Sequence, residues 1–186
     1  MRKIYLFISG TQTGVSKCVS FFTRSKNTHS TLSLDGKFDC MYTFGRFTLK
    51  PLPSGFVKEN IRTNVLKKYD YCPCKIFEID VDDAQYANLL KEIKRYEDEK
   101  QKYKYAILGA FLCAFRIKKT FKYKRFCSQF VANLLHDGAG LELPYDTSLM
   151  RPKDFLLLDY IKPVYEGSIR SLAEKVDSGE LVLPVE

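Results

Sequence analysis

The stretch "HSTLSLDGKFDCMYTFGR", residues 29 to 46, holds two alternating runs around Asp35-Gly36. Alternation of period two on either side of an Asp-Gly pair is a strong short-range signal for an antiparallel hairpin. The stretch therefore commits the chain to an antiparallel sheet, on which its helices must pack. "KIYLFIS" (3 to 9) reads as a buried first strand and "CKIFEIDV" (74 to 81) as another by its alternation. After the first strand, "TQTG" turns into an amphipathic segment at 15–24, and "PLPSG" (51 to 55) reads as a loop.

Asp82 is a good N-cap, and Gln85 three residues later completes a capping-box pattern. Behind it, Tyr86, Leu89, Leu90, Ile93 and Tyr96 form one apolar stripe, which predicts a helix over 83–100. Residues 105–115 read as a more buried helix, and 127–137 as a helix closed by Gly138 at its C′ position. A short surface helix is expected over 168–178. Interspersed strands and helices with a hairpin as the clearest pairing point to an α+β fold, not a parallel doubly wound one.

At 186 residues the chain is most economically one domain, spanning 1–186, with no internal repeat and no low-complexity linker. Its 45% apolar and 28% charged residues are those of a soluble globular protein. The 30 basic against 22 acidic residues, a net +8, favour anionic partners and surfaces in a general way. Much of the excess sits in "IKKTFKYKR" (117 to 125).

Six cysteines are spread as Cys18, Cys40, Cys72, Cys74, Cys113 and Cys127. The N-terminal apolar run is too short for a secretory leader, and Ser9 and Gly10 break it. "YAILGAFLCAF" (105 to 115) is too short to span a bilayer. A cytoplasmic setting with free thiols is expected. "CPC" (72 to 74) has no second Cys/His pair at zinc-ligand spacing, so no metal and no cofactor is expected.

Cys127 opens its helix, where free amides, the helix dipole and the adjacent "KYKR" favour a thiolate. It would also pack well as a small buried hydrophobe beside Phe130 and Val131. A thiolate needs a base within hydrogen-bond reach and a third group to orient that base. The chain has two histidines. His136 sits in the last turn of the Cys127 helix, an ordinary place for a cation. His29 shares a strand face with Thr31 and Ser33 and is the natural partner of Cys127. A two-residue Asp35-Gly36 loop would set Tyr42 opposite His29, and a three-residue loop Thr43.

The order "TQTG … THSTLSLD … MYTFGR … FCSQFVANLL" resembles the circularly permuted papain-like proteins related to NlpC-type cysteine peptidases, close to the YiiX-like group of bacterial proteins. The resemblance spans about residues 3–160, and its diagnostic part is a histidine that precedes the cysteine. It implies an antiparallel, barrel-like sheet packed against helices in a permuted papain-like topology. It also implies Cys127 as nucleophile and His29 as base. The third polar residue should fall in "MYTF", with Thr43 the first candidate and Tyr42 the second. Neither is a carboxylate or imidazole, and a hydroxyl stabilises an imidazolium less. Tyr42 also counts with Gln12 as a substrate contact, Gln12 through an amide able to donate to an oxyanion.

The expected activity is that of a cysteine hydrolase (thiol protease or amidase) acting on an amide, isopeptide or ester bond. Acyl transfer or thioester hydrolysis on a lipid-like substrate is the alternative. The contrasting reading is a catalytically weak binding module that holds anionic ligands or nucleic acid through the basic 117–125 segment. Expected partners are thus a peptide, isopeptide or lipid-like acyl substrate and an anionic surface, with no obligate nucleic acid. "YEDEKQKYKY" (96 to 105) reads as an exposed helix end, and Glu59 in "GFVKEN" has no role assigned by pattern.

Overall fold

Nearly every residue of "RKIYLFIS" is buried, because this strand, β1 (Arg2–Ser9), runs through the middle of a sheet covered on both faces. The computed structural model describes residues 1–10, 27–46 and 54–184. The expected amphipathic segment at 15–24 and Gln12 lie outside those residues. β1 pairs antiparallel with β2 (His29–Ser33) on one side and β5 (Pro73–Val81) on the other. β3 (Met41–Arg46), β4 (Ser54–Glu59) and β8 (Ile161–Ser168) extend the sheet to the order β4-β3-β2-β1-β5-β8, all antiparallel. The fold is therefore α+β on a six-stranded antiparallel sheet. The expected barrel-like closure is absent: among the described residues the sheet is open, with β4 and β8 as its edges.

Alternation along β1 sends Ile4, Leu6 and Ile8 to one core and Tyr5 and Phe7 to the other. The first core is closed by α2 (Asp83–Asp98) and α4 (Cys127–Asn133) through Leu89, Ile93, Tyr96, Phe130 and Val131. The second is closed by Phe38, α1 (Asn64–Lys68) and α5 (Ile169–Asp177), through Leu66, Ile169 and Leu172. The capping box of α2 is formed: Gln85 N–H donates to Asp82 Oδ1 at 2.7 Å, and Asp82 N–H to Gln85 Oε1 at 2.9 Å.

The hairpin exists, but not with a two- or three-residue loop. Ser33 pairs with Met41, so residues 34–40 all lie in the connection. The Asp35 carboxylate accepts from Lys37 N and Phe38 N at 2.8 and 3.1 Å, which holds a wider turn. Phe38 takes a left-handed φ of 58° and turns inward onto Tyr5 and Phe7. Gly36 serves a close approach: a Cβ there would fall 2.4 Å from Cβ of Leu183.

Two helix expectations are also corrected. The Cys127 helix gives way to a π-helical turn, Leu134–Gly138, and Gly138 is not a left-handed C′ residue. It is small because a Cβ there would press to 3.2 Å on Leu89 Cδ2, where the turn crosses α2. The segment expected to be a buried helix is α3 (Ile107–Ala114), and only one side of it is buried. No described helix is long and apolar enough to cross a membrane.

Candidate active site

His29 is the first residue of β2 and Glu59 the last of β4, and both side chains are nearly buried. His29 Nε2 and Glu59 Oε2 are 2.8 Å apart. Thr31, two residues along β2 on the same face, donates to Glu59 Oε2 at 3.1 Å and sits 3.2 Å from His29 Nε2. The carboxylate is thus fixed by a hydroxyl as well as by the ring it faces. β3 lies between β2 and β4, and its Gly45 is bare where Glu59 passes: the missing Cβ would sit 3.5 Å from Glu59 Oε1.

The Cys127 sulfur lies close enough to the His29 ring for the two groups to shift each other's protonation. Cys127 is the first residue of α4, and the backbone amides of Ser30 and Ser128 lie near enough to its sulfur to favour the thiolate. Burial opposes a charged thiol here. The His29 ring and its charge, with the two amides, outweigh it and hold the Cys127 pKa below the ordinary value. For His29, burial works against the proton, yet Glu59 and Cys127 raise its pKa to about 10. Each partner thus favours the charged form of the other, an imidazolium beside a thiolate.

The other buried thiols set the contrast. Burial pushes the Cys74 thiol up to about 12, and Cys113 likewise, with the Asp154 charge adding to burial there. Cys127 is pulled down where Cys74 and Cys113 are pushed up, and none of the described cysteines forms a disulfide. Its acidity comes from its neighbours, not from depth.

Neither residue of "MYTF" faces the ring. Thr43 is fully buried and donates to the Ser30 carbonyl at 2.8 Å. It braces the β2 backbone whose Ser30 amide reaches the sulfur, but it does not orient His29. Tyr42 pairs with Leu32, stacks on Phe56 and lies under Lys58 Nζ, on the opposite face of β3. The seven-residue connection shifts the register, so the place expected for Thr43 or Tyr42 is taken by Glu59 from the next strand. Strand order, not local spacing, brings Glu59 there; its only sequence signal is being an acid in an alternating segment.

Tyr105 is the second residue that pattern reading misses. It ends β6 (Lys104–Tyr105), which pairs in parallel with β7 (Lys124–Arg125) just before Cys127. Its hydroxyl lies beside the sulfur and the backbone N–H of Cys127. Burial and the adjacent sulfur charge hold this phenol protonated, well above its ordinary pKa. The stretch 96–105 is thus not merely an exposed helix end. Together with Thr28, Ala110, Phe126 and Arg151, Tyr105 bounds a slot of about 20 Å³ at Cys127, room for about one water.

No group of three metal-ligating side chains occurs among the described residues, and Cys72 and Cys74 of "CPC" are buried. The arrangement offers an acidic thiol, a ring to accept or donate a proton, and a carboxylate holding that ring. Compared with known proteins, the chain matches no family model and no curated protein.

Proposed function

We propose that this chain is a cysteine hydrolase of the papain-like class in its permuted order. Cys127 is the nucleophile, His29 the acid-base and Glu59 the residue that orients it. The observation that carries the reading is the 2.8 Å contact of His29 Nε2 with the Glu59 carboxylate, on a ring that neighbours the Cys127 sulfur. With Nε2 on Glu59, Nδ1 is the nitrogen that serves the thiol.

The Cys127 thiolate attacks an acyl carbon, forming the C–S bond while the carbonyl pair moves onto oxygen. The Tyr105 hydroxyl and the amides at the start of α4 surround the sulfur and are suited to donate to that oxyanion. The imidazolium passes its proton to the departing amine or alcohol as the C–N or C–O bond breaks. His29 then takes a proton from water, whose oxygen displaces the sulfur and releases the acid. An amine or alcohol in place of that water gives acyl transfer by the same steps.

A carboxylate on His29 stabilises the imidazolium more than the hydroxyl expected from sequence. That supports catalysis over a binding module with a weak site. The test is alkylation of all six cysteines by iodoacetamide from pH 4 to 9, followed by mass spectrometry. Selective reaction of Cys127 at low pH, lost in His29→Ala, is expected. A profile for Cys127 that matches Cys113 and ignores His29 would refute the reading.

A further inference from the structure

The outer face of α3 carries large apolar side chains into solvent. Ile107, Leu108 and Phe111 are 55%, 58% and 42% exposed, and Phe115 and Ile117 just beyond are 51% and 52%. Positions 107, 108, 111 and 115 follow helical spacing, so these residues form one stripe. Ile117 N–H bonds back to the Leu112 carbonyl, which keeps Ile117 against the helix end. Buried apolar contacts hold the opposite side, where Ala106, Ala110 and Cys113 pack on Phe126.

The surroundings of this stripe are basic at both ends. No acidic residue occurs between Glu99 and Asp137, while Lys and Arg cluster at 100–104 and 116–125 on either side of α3. At the N-terminal end, the β6–β7 ladder pairs exposed Lys104 with exposed Lys124, one step before Ile107. At the C-terminal end, exposed Lys118 and Lys119 follow Ile117 directly, and Lys122 lies on the return to β7. Lys118 is paired with Asp146, but Lys104, Lys119, Lys122 and Lys124 form no salt bridge among the described residues.

We propose that this face is a docking surface for an anionic phospholipid bilayer, with the α3 stripe entering the acyl boundary and the flanking lysines on the headgroups. Apolar side chains bracketed by lysines are the chemistry of interfacial membrane binding. Nucleic acid fits less well: Ile107, Leu108 and Ile117 are aliphatic, and the exposed Phe111 and Phe115 rings pack on each other at 5.0 Å. Tyr123 already packs edge-on to Tyr103 with Lys122 over its ring.

The location gives the surface a purpose. The inner side of α3 supplies Ala110, Cys113 and Ala114 to the slot at Cys127, so one helix separates the thiol from the docked face. Seated this way, the enzyme would draw an amphiphilic acyl substrate from the bilayer. That last step rests on the catalytic reading above, whereas docking itself does not.

The experiment is co-sedimentation with phosphatidylcholine vesicles, with and without phosphatidylglycerol, using the parent protein and Cys127→Ala. Both should bind the anionic vesicles, more weakly as salt rises, and bind the neutral ones poorly. Lys119→Gln, Lys122→Gln and Lys124→Gln together should weaken binding by about a hundredfold, near fivefold per charge. Ile107→Ser with Leu108→Ser should cost tenfold or more at any salt; both positions are exposed, and circular dichroism checks that the fold persists. Failure to bind any vesicle overturns the proposal, as does binding that neither set of substitutions weakens. Retention by a single-stranded oligonucleotide without vesicle binding overturns it in favour of nucleic acid. A thiol with ordinary alkylation chemistry alongside intact vesicle binding would remove the catalytic reading and leave the surface standing.

Discussion

His29 Nε2 meets Glu59 Oε2 at 2.8 Å even though β3 runs between the strands that carry them. The contact converts a two-residue Cys-His pairing into a chain of three, with the negative end buried. Glu59→Gln keeps the size and a hydrogen-bond acceptor but removes the charge. The largest influence raising the His29 pKa is then lost, and the imidazolium is no longer stabilised. We expect kcat to fall by up to about 10⁴, the loss that follows when the orienting acid of a Ser-His-Asp triad is neutralised. The low-pH alkylation of Cys127 should shift toward the free-thiol value of about 8.5. Full activity in Glu59→Gln would mean that the carboxylate is structural.

The pH dependence of stability offers a second check, since the two partners act with opposite sign. His29 has a raised folded pKa, so its contribution is complete below 6.5 and is lost as pH rises toward about 10. Cys127 has a lowered folded pKa, so its contribution is complete above 9.0 and is lost as pH falls through the folded value. Between 6.5 and 9.0, above the folded thiol value, the native pair and the unfolded chain bind equal numbers of protons, and the effects offset. Cys127→Ala removes one half of this balance while Glu59 still holds the His29 proton. Relative to the parent, denaturant stability of the variant should decline from pH 6.5 upward, by at most about 1.4 kcal/mol per pH unit. A constant difference across that range would show that the pair is not ionised.

Tyr105→Phe tests the phenol that sits on both the sulfur and the amide of Cys127. The ring and its packing remain, so the fold and KM should change little. Loss of a donor at the oxyanion lowers kcat by about 10²–10³ in comparable sites. If kcat is preserved while the protein melts earlier, the hydroxyl serves packing alone.

The two residues that meet at the centre, His29 and Cys127, were legible because each carried local meaning. One was a rare histidine at the start of an alternating strand, the other a cysteine opening a helix after a basic run. Glu59 and Tyr105 were not, because nothing local distinguishes them from other acids and tyrosines. Their roles follow from strand order and from a two-residue ladder too short for periodicity to register. The capping box of α2 and the buried β1 could be read directly, since capping and burial are written within a few residues. The hairpin turn misled because Asp-Gly also suits a wider connection, in which Gly36 makes room for Leu183. α3 misled in another way: its apolar content reads as burial, and periodicity cannot tell a buried side from a face left toward solvent.

Thr43 separates the support of the site from its chemistry. Its hydroxyl donates to the Ser30 carbonyl inside the protein, and the Ser30 amide in turn helps to favour the Cys127 thiolate. Thr43→Val keeps the shape but leaves that buried carbonyl short of a partner, which costs about 1–3 kcal/mol of stability. The ionised pair depends on Glu59 and His29, which the substitution leaves in place. Thr43→Val should therefore melt earlier by chemical denaturation yet keep the parent alkylation profile at Cys127. The reverse pattern, unchanged stability with a raised alkylation midpoint, would return Thr43 to the orienting role that its position in "MYTF" suggests. It would also require that His29 leave Glu59 in solution.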